Sequence, residues 1–153
     1  MTPVESTKLP IEWHTFKAVP RDIDPGLCVR AHSGTSHTPE NRVAPHQDAY
    51  MDCMLSMVET MRYACKDDTD IAEALALLEE FKSGYLRRYN AYLHARTGLV
   101  SSMIAGPAGF PVRRMEKKNR TVDGLLNEFM AWRSRFEHHA VAVMKRRHEV
   151  AVP

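Results

Sequence analysis

Proline placement divides this chain of 153 residues near residue 45. Six of the nine prolines fall in residues 1–45, where Gly26 and Gly34 add further breaks. Proline has no amide hydrogen and disfavours helix at the residue before it, so regular structure is disfavoured there. Trp13 and Phe16 are large enough to pin an extended arm to a core. The sequence therefore predicts two parts: an irregular, Pro-rich N-terminal arm, residues 1–45, and a helical domain, residues 46–153.

Apolar residues recur every three or four positions after Pro45, which predicts helices with one buried face. Three such stretches are separated by Lys66–Asp70 and by the Gly106–Pro111 loop. The third stretch is weakest over Asn119–Gly124, where a break would cost only about 1 kcal/mol of helix propensity. We expect an all-α fold: a small helical bundle built on a long antiparallel hairpin of the second and third helices, with the first helix alongside.

The sequence also predicts where the second and third helices begin. Asp70 and Glu73 have the spacing of a capping box, with Asp70 in place of the usual Ser or Thr. Pro111 suits the first position of the third helix, because an amide hydrogen is not needed there.

Composition excludes several classes of protein. Apolar residues make up 44% of the chain and charged residues 26%, which is ordinary for a globular domain. No window approaches the roughly 18 consecutive apolar residues of a membrane span, so we expect no membrane partner. The start of the chain lacks the apolar core of a secretory signal, and the cysteines, Cys28, Cys53 and Cys65, are odd in number. These features predict reduced thiols and a cytoplasmic location.

The net charge is only +2, but its distribution along the chain is uneven. Residues 46–81 hold two basic and nine acidic residues, a balance of −7, whereas residues 82–120 hold nine basic residues and one acidic residue, a balance of +8. In an antiparallel hairpin these basic residues would meet at one tip and attract phosphate or carboxylate groups. The alternative is an internal dipole, in which the acidic first helix lies against the basic third helix.

The sharpest local feature is the loop that reads Gly106-Pro-Ala-Gly-Phe-Pro-Val-Arg-Arg. Its glycines free the backbone, and the helix that follows begins with open amide groups, which favour an anion. Arg113 and Arg114 fall in the first turn, where cations oppose the helix dipole, so a bound anion would explain them. The alternative is a tight structural loop with Phe110 in the core. The predicted anion-binding and partner-binding residues, called the basic tip below, are Arg96, Gly106, Gly109, Arg113, Arg114, Lys117, Lys118 and Arg120.

The segment that begins Ser102-Met-Ile-Ala-Gly-Pro-Ala-Gly-Phe-Pro-Val-Arg-Arg, followed by Lys117 and Asn119, resembles a helical segment of proteins from phages, plasmids and other mobile elements, including large polyvalent proteins. The loop of that family reads approximately Met-Ile-Thr-Gly-Pro-Ala-X-Phe-Pro-Val-X-Arg. The resemblance covers about residues 85–135, and Ala105 stands where Thr is usual. It implies an origin on a mobile element and transfers no catalytic residue.

Metal and enzyme sites have little support in the sequence. Cys28, His32, His37 and His46 are candidate zinc ligands, but their spacing is irregular, whereas structural zinc loops bring ligands in closer pairs. No nucleophile elbow, phosphate loop or dinucleotide fingerprint is present in the sequence. We therefore predict a protein that is not an enzyme and has no catalytic residue, cofactor or metal, with zinc on this set as the open alternative.

The favoured function is that of a binding protein of a phage or other mobile element. Its partner would be a nucleic acid or a nucleoprotein complex of the host, such as a CRISPR effector that it blocks as an anti-defence inhibitor. The basic tip would occupy an anionic or a nucleic-acid-facing surface of that partner. The alternative is a structural interaction module that forms a homodimer through its long C-terminal helix.

Overall fold

A computed structural model describes residues 2–101, 104, 106 and 110–149. This described part contains the strands β1 (Ile11–Trp13) and β2 (Phe16–Ala18) and the α-helices α1 (Pro25–His32), α2 (Val43–Ala64), α3 (Thr69–Arg96) and α4 (Val112–Arg146). Two short 3-10 helices, Pro20–Asp22 and Pro39–Arg42, precede α1 and α2. The predicted all-α fold class is confirmed, because helices dominate and the two strands form only a small sheet. Each helix within these residues is too short or too polar to span a membrane.

The long helix α4 runs without interruption for 35 residues, or about 52 Å. It continues through Asn119–Gly124, the stretch in which the sequence is weakest. Val122, Phe129 and Phe136 are buried on its inner face. Burial of aromatic side chains stabilises a helix by more than the roughly 1 kcal/mol that an interior glycine costs, so α4 does not break.

Helix α3 packs more extensively against α4 than any other described pair of elements does. Asp70 in the first turn of α3 bonds Arg147 just beyond α4, and Gly98 just beyond α3 bonds Lys118 near the start of α4. Residue numbers therefore fall along α4 as they rise along α3. The aromatic rings between the two helices are Phe81, Tyr85, Tyr89, Phe129, Trp132 and Phe136.

The first 45 residues differ from the predicted irregular arm. β1 and β2 form an antiparallel hairpin in which Ile11 pairs with Ala18. Phe16 and Ile23 are fully buried and belong to the same core as the helices, so this segment completes the core. The boundary predicted at residue 45 falls inside α2.

The N-terminal helices form despite their prolines because the prolines stand in first turns. Pro25 is the first residue of α1, and Pro45 lies in the first turn of α2, where an intrahelical amide hydrogen is not needed. Asp24 caps α1, since its side chain accepts the Gly26 amide hydrogen at 3.2 Å. The proline pattern thus marks helix starts as well as loops.

Asp70 is not the capping residue that its spacing predicts. α3 begins at Thr69, and the side chain of Asp70 is fully buried inside the first turn. Its carboxylate accepts the amide hydrogen of Lys66, and it also bonds Arg147 Nε at 2.9 Å and His148 Nε2 at 2.6 Å. These donors hold the pKa of the Asp70 carboxyl well below its usual value. The carboxylate therefore fastens the end of the described chain to the start of α3.

Candidate anion-binding surface

The five cations that α4 contributes to the basic tip lie in its first three turns: Arg113, Arg114, Lys117, Lys118 and Arg120. Arg113, Lys117 and Arg120 are exposed and follow the i, i+4, i+7 spacing of one helix face. Met115 and Val122 are buried on the opposite face. These three residues therefore form a cationic stripe that points away from the core, with the exposed Glu116 beside it.

The start of α4 packs against the end of α3, and between them lies a cleft of about 490 Å³. Lys118 Nζ donates to the carbonyl oxygen of Gly98 at 3.3 Å. This ammonium group stabilises the carbonyl end of α3, where the helix dipole favours a cation. The residues that line the cleft are His94, Ala95, Thr97, Gly98, Arg114, Lys117, Lys118 and Thr121. Arg114 and Lys117 are the exposed cations of this cleft.

Arg96 is held away from the stripe by bonds to the N-terminal segment. Its Nη2 atom lies 3.2 Å from Thr35 Oγ1 and 3.4 Å from His32 Nδ1. Its Nε atom is buried and has no acceptor among the described residues. Arg96 therefore ties the end of α3 to the turn after α1, and Lys118 is also engaged internally. Both of these predicted binding residues therefore make hydrogen bonds within the fold.

The loop before α4 is described only in part. Gly106 has a φ of +85°, a backbone conformation that glycine adopts readily and other residues rarely do. Gly109, also predicted to bind, lies outside the described residues. Phe110 is half-buried, and α4 begins at Val112 without a side-chain cap and without an acidic residue in its first turn. The first turn of α4 thus carries two arginines against its dipole and no compensating carboxylate.

The tip cations of α4 lack a carboxylate partner among the described residues. Within the described part of the chain, no Asp or Glu lies within ion-pair distance of any of the five. The acidic residue Asp52 of α2 pairs with Lys8 at 3.2 Å instead. α2 packs on the second half of α4, where Met57 and Val141 line one cleft. The alternative of an acidic helix neutralising the basic end of α4 is therefore not supported.

A chain of hydrogen bonds connects Arg96, at the end of α3, to His32, His46 and Tyr89. His32 Nε2 lies 2.8 Å from His46 Nε2, and His46 Nδ1 bonds the hydroxyl of Tyr89. Burial, together with the nearby positive charge of Arg96, lowers the pKa of both imidazoles to about 4. No local pattern in the sequence indicates this group, because its bonded partners stand 14 to 64 positions apart.

The four candidate zinc ligands are not brought together. His32 and His46 meet, but Cys28 is buried and His37 is exposed, and neither joins them in a ligand cluster. All three cysteines are free thiols. In the described residues, the side chains that do cluster in a way suited to a metal are Asp67, Asp70 and His148. The bond between Asp70 and Arg147 already engages that cluster with a fixed positive charge.

Another basic group, missed in the sequence, surrounds Trp132 further along the α3–α4 contact. The guanidinium carbon of Arg88 lies 4.4 Å from the ring centroid of Trp132, and Phe81 stacks on that ring at 5.6 Å. Gly84 allows this approach, because a Cβ atom there would lie 2.3 Å from a ring carbon of Trp132. The only local signal is the Arg87-Arg88 pair, which by itself predicts a solvated helix face.

Comparison with known proteins does not add a relative: no family model, no curated protein and no solved structure matches this chain.

Proposed function

We propose that this protein is a non-enzymatic binding protein that holds a nucleic acid or a nucleoprotein complex through the basic tip. The observation that carries the proposal is the group of five α4 cations without carboxylate partners among the described residues. They occupy about 11 Å of helix. Glu116 stands among these bases, but it lies within ion-pair distance of none of them in the described part of the chain. Phosphate groups of a partner would supply the missing negative charge.

The binding mechanism is electrostatic. Arg113, Lys117 and Arg120 meet successive phosphates, while Arg114 on the cleft wall fixes the orientation. Contacts to phosphate release counterions, so affinity falls steeply with salt, by about 0.7 to 0.9 of a log unit per contact for each tenfold rise in salt. Such contacts position the partner without reading its sequence.

The biological setting follows from the resemblance of the loop to mobile-element proteins. A small binding protein of a phage or plasmid gains from covering the nucleic-acid surface of a host defence complex. We therefore extend the proposal to an anti-defence inhibitor, with a CRISPR effector as the target class. The basic tip would compete with nucleic acid if the contacted surface were acidic, or clamp bound nucleic acid through its phosphates.

The test is fluorescence anisotropy with labelled single-stranded and duplex oligonucleotides over a series of salt concentrations. The variant Arg113→Ala with Arg114→Ala should weaken binding and flatten the salt dependence by about 1.4 to 1.8, the value for two phosphate contacts. The matched control is Lys145→Ala with Arg146→Ala, which removes the same charge from the other end of α4 and should leave binding unchanged. Equal effects of the two pairs, or no binding by the parent, would contradict the proposal.

Homodimerisation through α4 is the second candidate function. Its support is limited to two large apolar side chains on α4, Val112 and Met130, which are 55% and 50% exposed. Apolar association is nearly insensitive to salt, unlike phosphate binding. Sedimentation velocity over a range of protein and salt concentrations distinguishes homodimerisation from nucleic-acid binding. A protein that stays monomeric at every concentration would exclude the homodimer.

A further inference from the structure

The arginines near Trp132 form a second cationic group outside the basic tip. Arg87 and Arg135 are exposed, and Arg88 is half-buried against Trp132. Arg88 Nη1 also donates to the carbonyl oxygen of Gly84 at 3.4 Å. The aromatic ring and the carbonyl oxygen thus fix the guanidinium group in place, so a ligand would meet an ordered cation.

Arg87 and Arg88 line one cavity, which the carboxylate Glu80 also lines, and Arg135 follows Trp132 by three positions on α4. Burial lowers the pKa of the Arg88 guanidinium, and the neighbouring charges of Arg87 and Arg135 lower it further. Glu128 acts in the opposite direction, but no described carboxylate pairs with any of the three within ion-pair distance. Three like charges held together cost free energy, which a bound anion would offset.

Both cationic groups line the contact between α3 and α4. Gly84 and Trp132 line a cavity of about 300 Å³ with Arg87, Arg88 and the carboxylate Glu80, and Gly98 lines the cleft at the basic tip. The 14 residues from Gly84 to Gly98 span about 21 Å of helix. A single phosphate cannot reach both groups, whereas a polymer of phosphates can.

We infer that the binding surface continues from the basic tip along the α3–α4 groove to Arg87, Arg88 and Arg135, and that it holds one strand of nucleic acid. This inference rests on the proposed function and narrows its partner. Helices in contact have axes about 8–10 Å apart, so the groove between them admits a single backbone more readily than a duplex. An arginine plane held on an aromatic ring is also a surface on which an unpaired base stacks.

The test follows binding at the far end of the groove. Trp13→Phe leaves Trp132 as the sole tryptophan, and its emission should change when an oligothymidylate of about 12 nucleotides binds. Arg87→Ala with Arg135→Ala should weaken binding of this strand about tenfold and lower the salt slope by about 1.4. Glu128→Gln should strengthen it, because it removes a negative charge beside the path. Circular dichroism confirms that each variant is folded.

The outcomes separate this inference from the proposed function. If the Arg113 and Arg114 variant loses binding while the Arg87 and Arg135 variant binds normally and Trp132 emission is constant, the groove is excluded and the basic tip stands. If a duplex of the same length binds as tightly as the strand and responds equally to Arg87→Ala with Arg135→Ala, single-strand selectivity is overturned. If neither oligonucleotide binds, both the groove and the proposed function fail.

Discussion

The Nε2 atoms of His32 and His46 lie 2.8 Å apart, and Arg96 sets the direction of the hydrogen bond between them. A guanidinium group only donates, so His32 Nδ1 accepts from Arg96 and the His32 ring hydrogen sits on Nε2. His46 Nε2 then accepts this hydrogen, and its own Nδ1 hydrogen is directed to the hydroxyl of Tyr89. Both rings are therefore neutral, each with a fixed tautomer.

Stability should fall in mild acid because of this pair. The folded-state pKa of each ring is about 4, below its ordinary value of 6.5, since burial and Arg96 disfavour the charged form. Between these values the unfolded chain takes up protons that the folded chain does not. The contribution of the two histidines to the free energy of unfolding is therefore fully present above pH 6.5. It falls as the pH drops below 6.5 and stops changing below about pH 4. We expect a loss of about 2 kcal/mol, allowing for solvent screening of half-buried rings.

Urea unfolding at pH 7 and pH 5 checks this expectation. His46→Gln should have a lower free energy of unfolding than the parent at pH 7. This difference should be smaller at pH 5, because the variant lacks one of the two histidines whose pKa is lowered by folding. His138→Gln, which changes an exposed histidine of α4, should keep the pH dependence of the parent. The same difference in unfolding free energy at both pH values would show that folding does not lower the pKa of His46.

Gly84 and Gly124 should respond in opposite directions to alanine. Both are interior helix positions, where alanine gains up to about 1 kcal/mol of propensity. At Gly84 the added Cβ would lie 2.3 Å from Trp132, so we expect a net loss of about 1–3 kcal/mol and a shift in Trp132 emission. At Gly124 nothing lies within 4 Å, so the gain should appear in full. Guanidinium unfolding measures both, and a stabilised Gly84→Ala protein would contradict the close packing.

Gln47 should be essential for anchoring the N-terminal segment. Its side chain is fully buried, accepts the Ser6 amide hydrogen at 2.8 Å and donates to the Ile23 carbonyl oxygen at 3.2 Å. Gln47→Leu preserves volume but leaves both backbone groups unpaired, which should cost about 2–4 kcal/mol. Trypsin should also cleave faster after Lys8. A variant as stable and as resistant as the parent would show that water satisfies these groups.

Asp70→Asn should lower the melting temperature at pH 7, because the carboxylate that Lys66, Arg147 and His148 bind would lose its charge. The pKa of Asp70 lies below the usual 3.8, so its contribution is present above that pH and is lost as the pH falls through the depressed value. The gap between parent and variant should therefore narrow below about pH 4. Thermal unfolding over this pH range is the measurement. A difference in melting temperature that does not change with pH would mean that the charge of Asp70 does not contribute to stability.

Local patterns were sufficient for the helices and insufficient for the polar groups. The three- and four-residue spacing predicts α2, α3 and α4 because one buried face per helix is a local requirement. The N-terminal segment was harder, because its proline pattern is the same for a loop and for helices that begin at proline. Asp70 shows the same limit: a carboxylate near a helix start fits a cap equally well, and only Arg147, 77 positions away, decides its role.

The sequence predicts the basic tip as a group but does not distinguish the roles of its residues. Arg113, Lys117 and Arg120 share a face because of helix spacing, which the sequence contains. Arg96 also counts as a basic residue near the tip, yet its partners Thr35 and His32 come from a part of the chain more than 60 positions away. Charge counts along a sequence cannot separate cations that face solvent from cations that fasten the fold.

Reversing the charge of Arg113 and Arg114 should not destabilise the protein. Both side chains are exposed, both lie in the first turn of α4, and neither pairs with a described carboxylate. Arg113→Glu with Arg114→Glu places negative charge where the helix dipole favours it, a gain of a few tenths to about 1 kcal/mol. The variant should therefore melt no earlier than the parent in low salt, and added salt should shrink any gain by screening. Binding of nucleic acid should be lost in the same protein. Earlier melting would assign the arginines to the fold, and a folded variant with unchanged affinity and salt slope would exclude them from the binding surface.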